Sequence, residues 1–202
     1  MNSIVESVII LLKDALTYLP AGCTWAAGII LIVLTINIIY KFCTHRNVTF
    51  LFLWRLFLLF LFIAYTYCIL RLTLLSRPTA NYGGIDWRFL AKWNENTAQK
   101  AFLIANIIMF IPFGVLLPMM SKWTKHILIA LPTAIVCSIA IEAMQLKYQL
   151  GYCQLDDVIA NSVGFLVGFL IYLVIADIYY FLNFITKRLL CYVKKHFKPQ
   201  AS

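Results

Sequence analysis

Hydrophobic residues along this chain form five long stretches that are separated by short polar segments. The stretches cover residues 20–40, 49–70, 101–120, 126–145 and 158–184. Each has about the length of roughly 20 helical residues that a hydrocarbon layer requires, and a helix satisfies its own backbone hydrogen bonds inside lipid. The pattern predicts an all-α integral membrane protein, a helical bundle of about five transmembrane helices.

Residues 1–19 differ, because their polar side chains share one side of a helix and their apolar side chains fill the rest. This pattern predicts an N-terminal interfacial amphipathic helix, and a sixth, short membrane segment is the alternative. The chain then divides into this helix, two transmembrane helices over 20–70, a core with a long loop and three transmembrane helices over 71–184, and a basic tail over 185–202.

Composition excludes a soluble protein. Hydrophobic residues make up 63% of the 202 residues and charged residues only 12%, against about 25% charged residues in soluble domains. The net charge of +9 lies in loops and the tail, and no basic face for nucleic acid is visible. The six cysteines contain no CxxC pair, and no motif indicates a metal or another cofactor.

The distribution of basic residues predicts the orientation. The face that carries the C-terminal tail holds nine basic residues, which are Lys41, Arg46, Lys122, Lys125, Lys187, Arg188, Lys194, Lys195 and Lys198. The other face holds seven, which are Lys13, Arg71, Arg77, Arg88, Lys92, Lys100 and Lys147. The positive-inside rule therefore places the tail in the cytoplasm.

Polar residues at membrane depth define the candidate functional site, since such residues are costly in lipid. The third, fourth and fifth stretches supply Asn106, Pro112, Gly114, Glu142, Gln145, Asp156, Asp157, Asn161, Gly164 and Gly168. Five crossings bring the start of the third stretch, the end of the fourth and the start of the fifth to one face, which the orientation makes extracytoplasmic. We expect Arg71 and Arg77 to reach this face as counter-ions for the carboxylates.

Several of these residues also have a purely structural interpretation. Gly164 and Gly168 have a spacing that is typical of helix packing, and Asp156 can simply cap a helix N-terminus. Glu142 is harder to explain in this way, because a carboxylate inside a membrane helix requires an arginine, a proton or a cation. Taken together, the residues favour a functional polar cluster over a packing cluster.

The chemistry open to this cluster is limited. The topology places His45, His126 and His196 at the opposite face, so no base is available for a serine or cysteine nucleophile. Carboxylates could still perform acid–base chemistry or hold a divalent cation. A polar site above a glycine-lined groove suits the headgroup of a lipid or of a lipid-linked molecule, and this is our leading hypothesis.

Three segments resemble the VanZ-like family of small bacterial membrane proteins. They are 106–118 (NIIMFIPFGVLLP), 142–145 (EAMQ) and 156–168 (DDVIANSVGFLVG), and LTLLSR over 72–77 also matches. The resemblance covers about half of the chain, from residue 71 to residue 176. Many relatives carry an arginine shortly before the Asp-Asp pair, where this chain has Gly151 to Gln154. Arg77 or Lys147 is a candidate substitute.

The resemblance implies an all-helical protein of the bacterial cytoplasmic membrane and, for the founding member, lowered susceptibility to the antibiotic teicoplanin. It implies no established enzymatic reaction. We therefore expect an interaction at the extracytoplasmic face with an envelope lipid, a lipid-linked wall precursor or a lipoglycopeptide. The alternatives are an enzyme that uses Glu142 and Asp157 on a lipid-linked substrate, and a structural partner of a larger membrane complex.

Overall fold

The computed structural model of the protein describes residues 2–44, 49–79, 84–89, 93 and 96–196. Its helices are α1 (Asn2–Thr17), α2 (Leu19–Thr44), α3 (Phe50–Leu70), α4 (Thr97–Met120), α5 (Ile127–Lys147) and α6 (Leu155–His196). Two strands of two residues each, β1 (Ile85–Asp86) and β2 (Cys153–Gln154), pair in parallel. The all-α prediction is confirmed, and the short strand pair is an addition to it.

Five helical stretches of the described chain are long and apolar enough to span a membrane. They are Ser3–Lys41, Phe50–Leu75, Thr97–Met120, Ile127–Lys147 and Leu155–Tyr192. The predicted number of spans is confirmed, so this is a multi-pass membrane protein. The interfacial position of α1 stays a prediction, because the first of these stretches joins α1 and α2 across Tyr18.

The last helix is longer than its apolar pattern indicated. The fifth span was predicted over 158–184, but α6 has 42 residues and ends at His196. At 1.5 Å per residue it is about 63 Å long, roughly twice the hydrocarbon thickness. Residues 185–196 contain no proline or glycine, so the helix continues into the basic segment. The division between span and tail at residue 184 stays a prediction, because a helix of this length extends beyond the hydrocarbon layer.

Helices α4 and α6 approach each other most closely through glycines. A Cβ atom added to Gly164 would overlap the carbonyl oxygen of Ile107, and one added to Gly168 would overlap that of Ile111. A Cβ on Gly114 would lie 2.9 Å from the Cα of Gly168. The packing interpretation of these glycines is confirmed, because their missing side chains let two helix backbones touch.

Aromatic side chains fill the space around this helix pair. Phe113 packs edge-on against Phe110 and Phe165, with ring centroids 5.9 and 5.7 Å away. Ala130 and Ala134 of α5 are fully buried against the same cluster. This core holds α4, α5 and α6 together, and the polar residues predicted as a site belong to these three helices.

Helix α4 contains Pro112, which has no backbone N–H to donate to the preceding turn. One turn earlier, the carbonyl oxygen of Met109 accepts a hydrogen bond of 2.9 Å from the hydroxyl of Tyr65 on α3. Tyr65 thus connects α3 to α4 one turn before the proline. The side chain of Pro112 is exposed, so Pro112 affects the structure through the missing backbone hydrogen bond of α4.

Helix α1 packs mainly against α4, whereas α2 packs mainly against α3. A single turn residue, Tyr18, separates the two helices, and its N–H donates to the carbonyl oxygen of Ala15 three residues back. Pro20 follows within the first turn of α2, a position where the missing N–H of proline is tolerated. Residues of α1 and of the first turns of α4 line one cavity together.

Candidate functional site

The predicted polar residues of α4 and α6 meet through a direct hydrogen bond. The side-chain amide of Asn106 donates to Oδ1 of Asp157 over 2.8 Å. Asp157 is 4% exposed and lies in the first turn of α6, where the helix dipole stabilises a negative charge. Asp156 is also buried in this turn. The predicted convergence of these two helix ends is therefore present.

Glu142 and Gln145 on α5 contact the loops around the site. One carboxylate oxygen of Glu142, Oε2, accepts a hydrogen bond of 3.0 Å from the backbone N–H of Gln154. The amide nitrogen of Gln145 donates over 3.1 Å to the carbonyl oxygen of Thr73. Both side chains are 2% exposed, so each fixes a backbone segment from within the protein.

Thr73 lies in a π-helical turn, Arg71–Leu75, that continues α3. Such wide turns are rare and are frequently found at functional sites. The turn closes with the N–H of Ser76 bonded to the carbonyl oxygen of Arg71 over 2.8 Å. It brings the Thr73 carbonyl to Gln145 and carries the chain on to Arg77.

Deeper in the bundle, Asn161 donates to the hydroxyl oxygen of Ser138 over 2.8 Å. The Ser162 hydroxyl donates to the carbonyl oxygen of Val158 in its own helix. These contacts occupy both serines in helix packing. Among the described residues, the Oδ1 atom of Asn161 has no hydrogen-bond partner.

The predicted ion pairs between the arginines and the carboxylates were wrong. Within the described residues, neither Arg71 nor Arg77 forms an ion pair with Glu142, Asp156 or Asp157. The guanidinium of Arg71 instead lies over the aromatic rings of α1 and α3, 5.4 Å from the centroid of Tyr18 and 5.9 Å from that of Tyr67. These cation–π contacts explain its burial without a carboxylate.

Arg77 reaches the loop between α5 and α6. Its Nη1 atom lies 3.4 Å from the place that a Cβ of Gly151 would take, and Oε1 of Gln145 lies 3.7 Å from the same place. Lys147, the other candidate for this position, lies over the ring of Tyr148. Arg77 therefore lies beside the loop for which the sequence suggested it as a candidate substitute.

A cavity of about 610 Å³ opens beside the Asn106–Asp157 pair. Its walls are α1, the segment 72–78, the first turns of α4 and the loop that leads into α6. The polar lining includes Asp14, Arg77, Gln99, Asn106 and Asp157. The apolar lining includes Leu11, Leu12, Leu72, Phe102 and Met109. The cavity thus offers charges, amides and hydrocarbon surface to one occupant.

Cys153 lies in β2 next to the acidic side chains. Burial, together with the negative charges of Glu142 and Asp157, raises the pKa of its thiol. The thiol therefore stays protonated and poorly nucleophilic at neutral pH. In the described part of the chain, no group of three or more His, Cys, Asp and Glu residues is placed to hold a metal ion. The cation alternative has no support there.

Sequence reasoning did not identify three contributors to the site. The π-helical turn has only five residues and each strand of the β1–β2 pair has only two. Segments this short show no recognisable sequence pattern. Asp14 was assigned to the polar side of an interfacial helix, yet it lines the cavity. Glu6 and Lys13 of the same helix are also charged, so the sequence held no signal that distinguished Asp14 from them.

An all-helical membrane bundle with a buried polar cluster at one end of its core defines the class of this protein. Comparison with family models identifies the family, because the VanZ/LLP1 model matches residues 48–176. The chain belongs to the VanZ/LLP1 family. The match begins before α3, earlier than the three motifs indicated, and leaves α1 and α2 outside it. No curated protein and no solved structure matches the chain.

Proposed function

We propose that this protein binds a membrane amphiphile in the cavity beside Asn106 and Asp157. The amphiphile is an envelope lipid, a lipid-linked wall precursor or a lipoglycopeptide of the teicoplanin type. The observation that carries this proposal is the mixed lining of the cavity, where Arg77 and Asp157 share one space with Phe102 and Met109. Pockets of this volume suit small ligands and headgroups.

The apolar part of the lining supports a lipid ligand over a water-soluble one. From Gln99 to Met109 the cavity follows eleven residues of α4, and the ten steps between them measure about 15 Å along the helix axis. This length exceeds what a small polar headgroup occupies, and it leaves space for the adjoining acyl or prenyl carbons. The bacterial cytoplasmic membrane, with the cavity at its extracytoplasmic face, is part of this proposal.

Lipid retention by the purified protein tests the proposal. Protein in a neutral detergent is exposed to a total bacterial lipid extract and analysed by native mass spectrometry. We expect lipid adducts on the wild type and a loss of about tenfold in Asp157→Asn, since a charged group in a hydrogen-bonded site contributes about that much.

Asp177→Asn is the matched control, because Asp177 is an exposed carboxylate of the same helix and does not line the cavity. It should retain lipid as the wild type does. A wild type without adducts, or equal retention by Asp157→Asn and Asp177→Asn, would contradict lipid binding at this cavity.

Drug susceptibility separates the possible ligands. A sensitive Gram-positive host expressing the wild type, Asp157→Asn or Asp177→Asn at equal membrane levels is tested with teicoplanin and vancomycin. Protection that only Asp157→Asn loses would favour a glycopeptide-related role at the cavity. Absence of protection by folded wild type would exclude that role in this host and leave envelope lipids as the ligands.

The enzyme alternative depends on Glu142 and Asp157 acting together. Glu142 accepts a hydrogen bond from the Gln154 backbone and does not line the cavity. Its position favours a role in fixing the loop over a role in acid–base chemistry. An enzyme would lose turnover in Glu142→Gln with normal folding, whereas a loop anchor would lose stability.

The third alternative is a structural partner of a larger membrane complex. No observation on the described residues favours it over amphiphile binding. It predicts that Asp157→Asn keeps all lipid adducts but loses a co-purifying protein from native membranes.

A further inference from the structure

We infer that the cavity selects a phospholipid headgroup that carries a primary ammonium beside its phosphate, and that Asp14 of α1 contributes to this selection. The inference deepens the proposed function and rests on it. The residues that carry it are the three charged side chains of the lining, Asp14, Arg77 and Asp157.

The charges of the lining add up to a net negative value. Asp14 and Asp157 contribute one negative charge each, and Arg77 contributes one positive charge. A headgroup with only negative charge would meet one guanidinium and two carboxylates, of which Asp14 is exposed and Asp157 is buried, and this is an unfavourable arrangement. A zwitterionic headgroup brings one charge of each sign and suits the lining better.

Arg77 supplies the phosphate contact. Among the described residues, no carboxylate lies within ion-pair distance of its guanidinium. A half-buried guanidinium without a carboxylate is a suitable partner for phosphate oxygens, which accept two parallel N–H donors. The lack of a side chain at Gly151 leaves room for the guanidinium beside this loop.

Acceptor oxygens also lie in the polar lining and next to it. Asp14 and Asp157 present carboxylate oxygens, and Oε1 of Gln145, which is 2% exposed, has no hydrogen-bond partner among the described residues. This oxygen lies close to Gly151, a residue of the cavity wall. A primary ammonium has three N–H donors for such acceptors, whereas a trimethylammonium group has none.

Asp14 lies outside the region that the family model matches, which begins at residue 48. Helix α1 nevertheless supplies Leu11, Leu12 and Asp14 to one wall of the cavity. The N-terminal helix therefore adds a charge and hydrocarbon surface to a site whose other walls lie within the matched region. Headgroup selection by Asp14 is thus a property of the segment that precedes the family core.

Defined lipids test this inference on the whole protein. Delipidated protein is titrated with dioleoyl phosphatidylethanolamine, phosphatidylglycerol or phosphatidylcholine, and adducts are measured by native mass spectrometry. We expect about tenfold tighter binding of phosphatidylethanolamine than of the other two, the factor that one charge-assisted hydrogen bond provides. Free glycerophosphoethanolamine, which lacks the acyl chains, should bind far more weakly than the lipid.

Two variants of α1 test whether Asp14 causes the headgroup preference. Asp14→Asn should lose most of the preference for phosphatidylethanolamine over phosphatidylcholine. Glu6→Gln makes the same change at an exposed carboxylate that does not line the cavity, and it should keep the preference.

The outcomes separate the inference from the proposed function. Equal binding of the three lipids by the wild type, a preference for phosphatidylglycerol, or an unchanged preference in Asp14→Asn would overturn the inference while lipid binding itself stands. Binding of none of the lipids would refute the proposed function as well. Equal binding of free glycerophosphoethanolamine would identify a site for the soluble headgroup and would overturn the choice of a lipid.

Discussion

Replacement of Gly164 by alanine should weaken the contact between α4 and α6. The added Cβ would overlap the carbonyl oxygen of Ile107 and lie 3.0 Å from its Cα. Both atoms belong to a helix backbone and cannot rotate away as a side chain would. Gly28 is a matched control within α2, because a Cβ there would have no heavy atom within 4 Å.

The magnitude follows from two opposing terms. Alanine is about 1 kcal/mol more favourable than glycine inside a helix, so Gly28→Ala should be neutral to slightly stabilising. Overpacking costs about 1–3 kcal/mol, and the backbone contact at Gly164 places that variant at the upper end. The two variants should differ by about 3 kcal/mol, which corresponds to roughly 6–12 °C in Tm for a chain of this size.

Thermal unfolding in one detergent, followed by tryptophan fluorescence, measures this difference. Gly164→Ala should also reduce lipid adducts, since Ile107 directly follows Asn106, the partner of Asp157. A Gly164→Ala variant as stable as Gly28→Ala would refute the close approach of α4 and α6.

Three further changes test individual contacts. Tyr65→Phe removes the hydroxyl that donates to Met109. This variant should lower the free energy of unfolding by about 1 kcal/mol, as measured by denaturant titration. An unchanged free energy of unfolding would argue against this bond. Gln149 has φ = 56° at the end of α5, so Gln149→Gly should raise the same free energy by about 1 kcal/mol, and a decrease would contradict the left-handed conformation. With all other cysteines replaced, Cys153 should require a higher pH for its reaction with maleimide than Cys191 in the corresponding single-cysteine variant, because its raised pKa keeps the thiol protonated. Glu142→Gln should lower this apparent pKa, and an unchanged pH profile would contradict the proximity of the two groups.

Much of the fold could be predicted from the apolar pattern. A stretch of about 20 apolar residues has few alternatives to a membrane helix, and alternating crossings fix which helix ends meet. The Asn106–Asp157 hydrogen bond agrees with this topology. The small-residue spacing of Gly164 and Gly168 likewise identified a packing contact.

The remaining features depend on tertiary contacts that leave little trace in the sequence. Arg71 was expected beside a carboxylate, but two tyrosine rings provide its contacts, and no periodic pattern distinguishes these partners. The contact of α1 with α4 likewise has no recognisable pattern in the sequence. Polarity alone could not show that Asp14 faces a cavity instead of the membrane surface.

Site-specific crosslinking tests the central claim that the cavity holds a selected lipid. A photoreactive benzoylphenylalanine replaces Phe102, which lines the cavity, or Leu128, which is 86% exposed on α5. After irradiation of native membranes, the lipids attached to the protein are identified by mass spectrometry. We predict that position 102 captures one lipid class far above its abundance in the membrane, whereas position 128 captures lipids in bulk proportion. Bulk proportion at both positions, or no lipid at position 102, would contradict the claim.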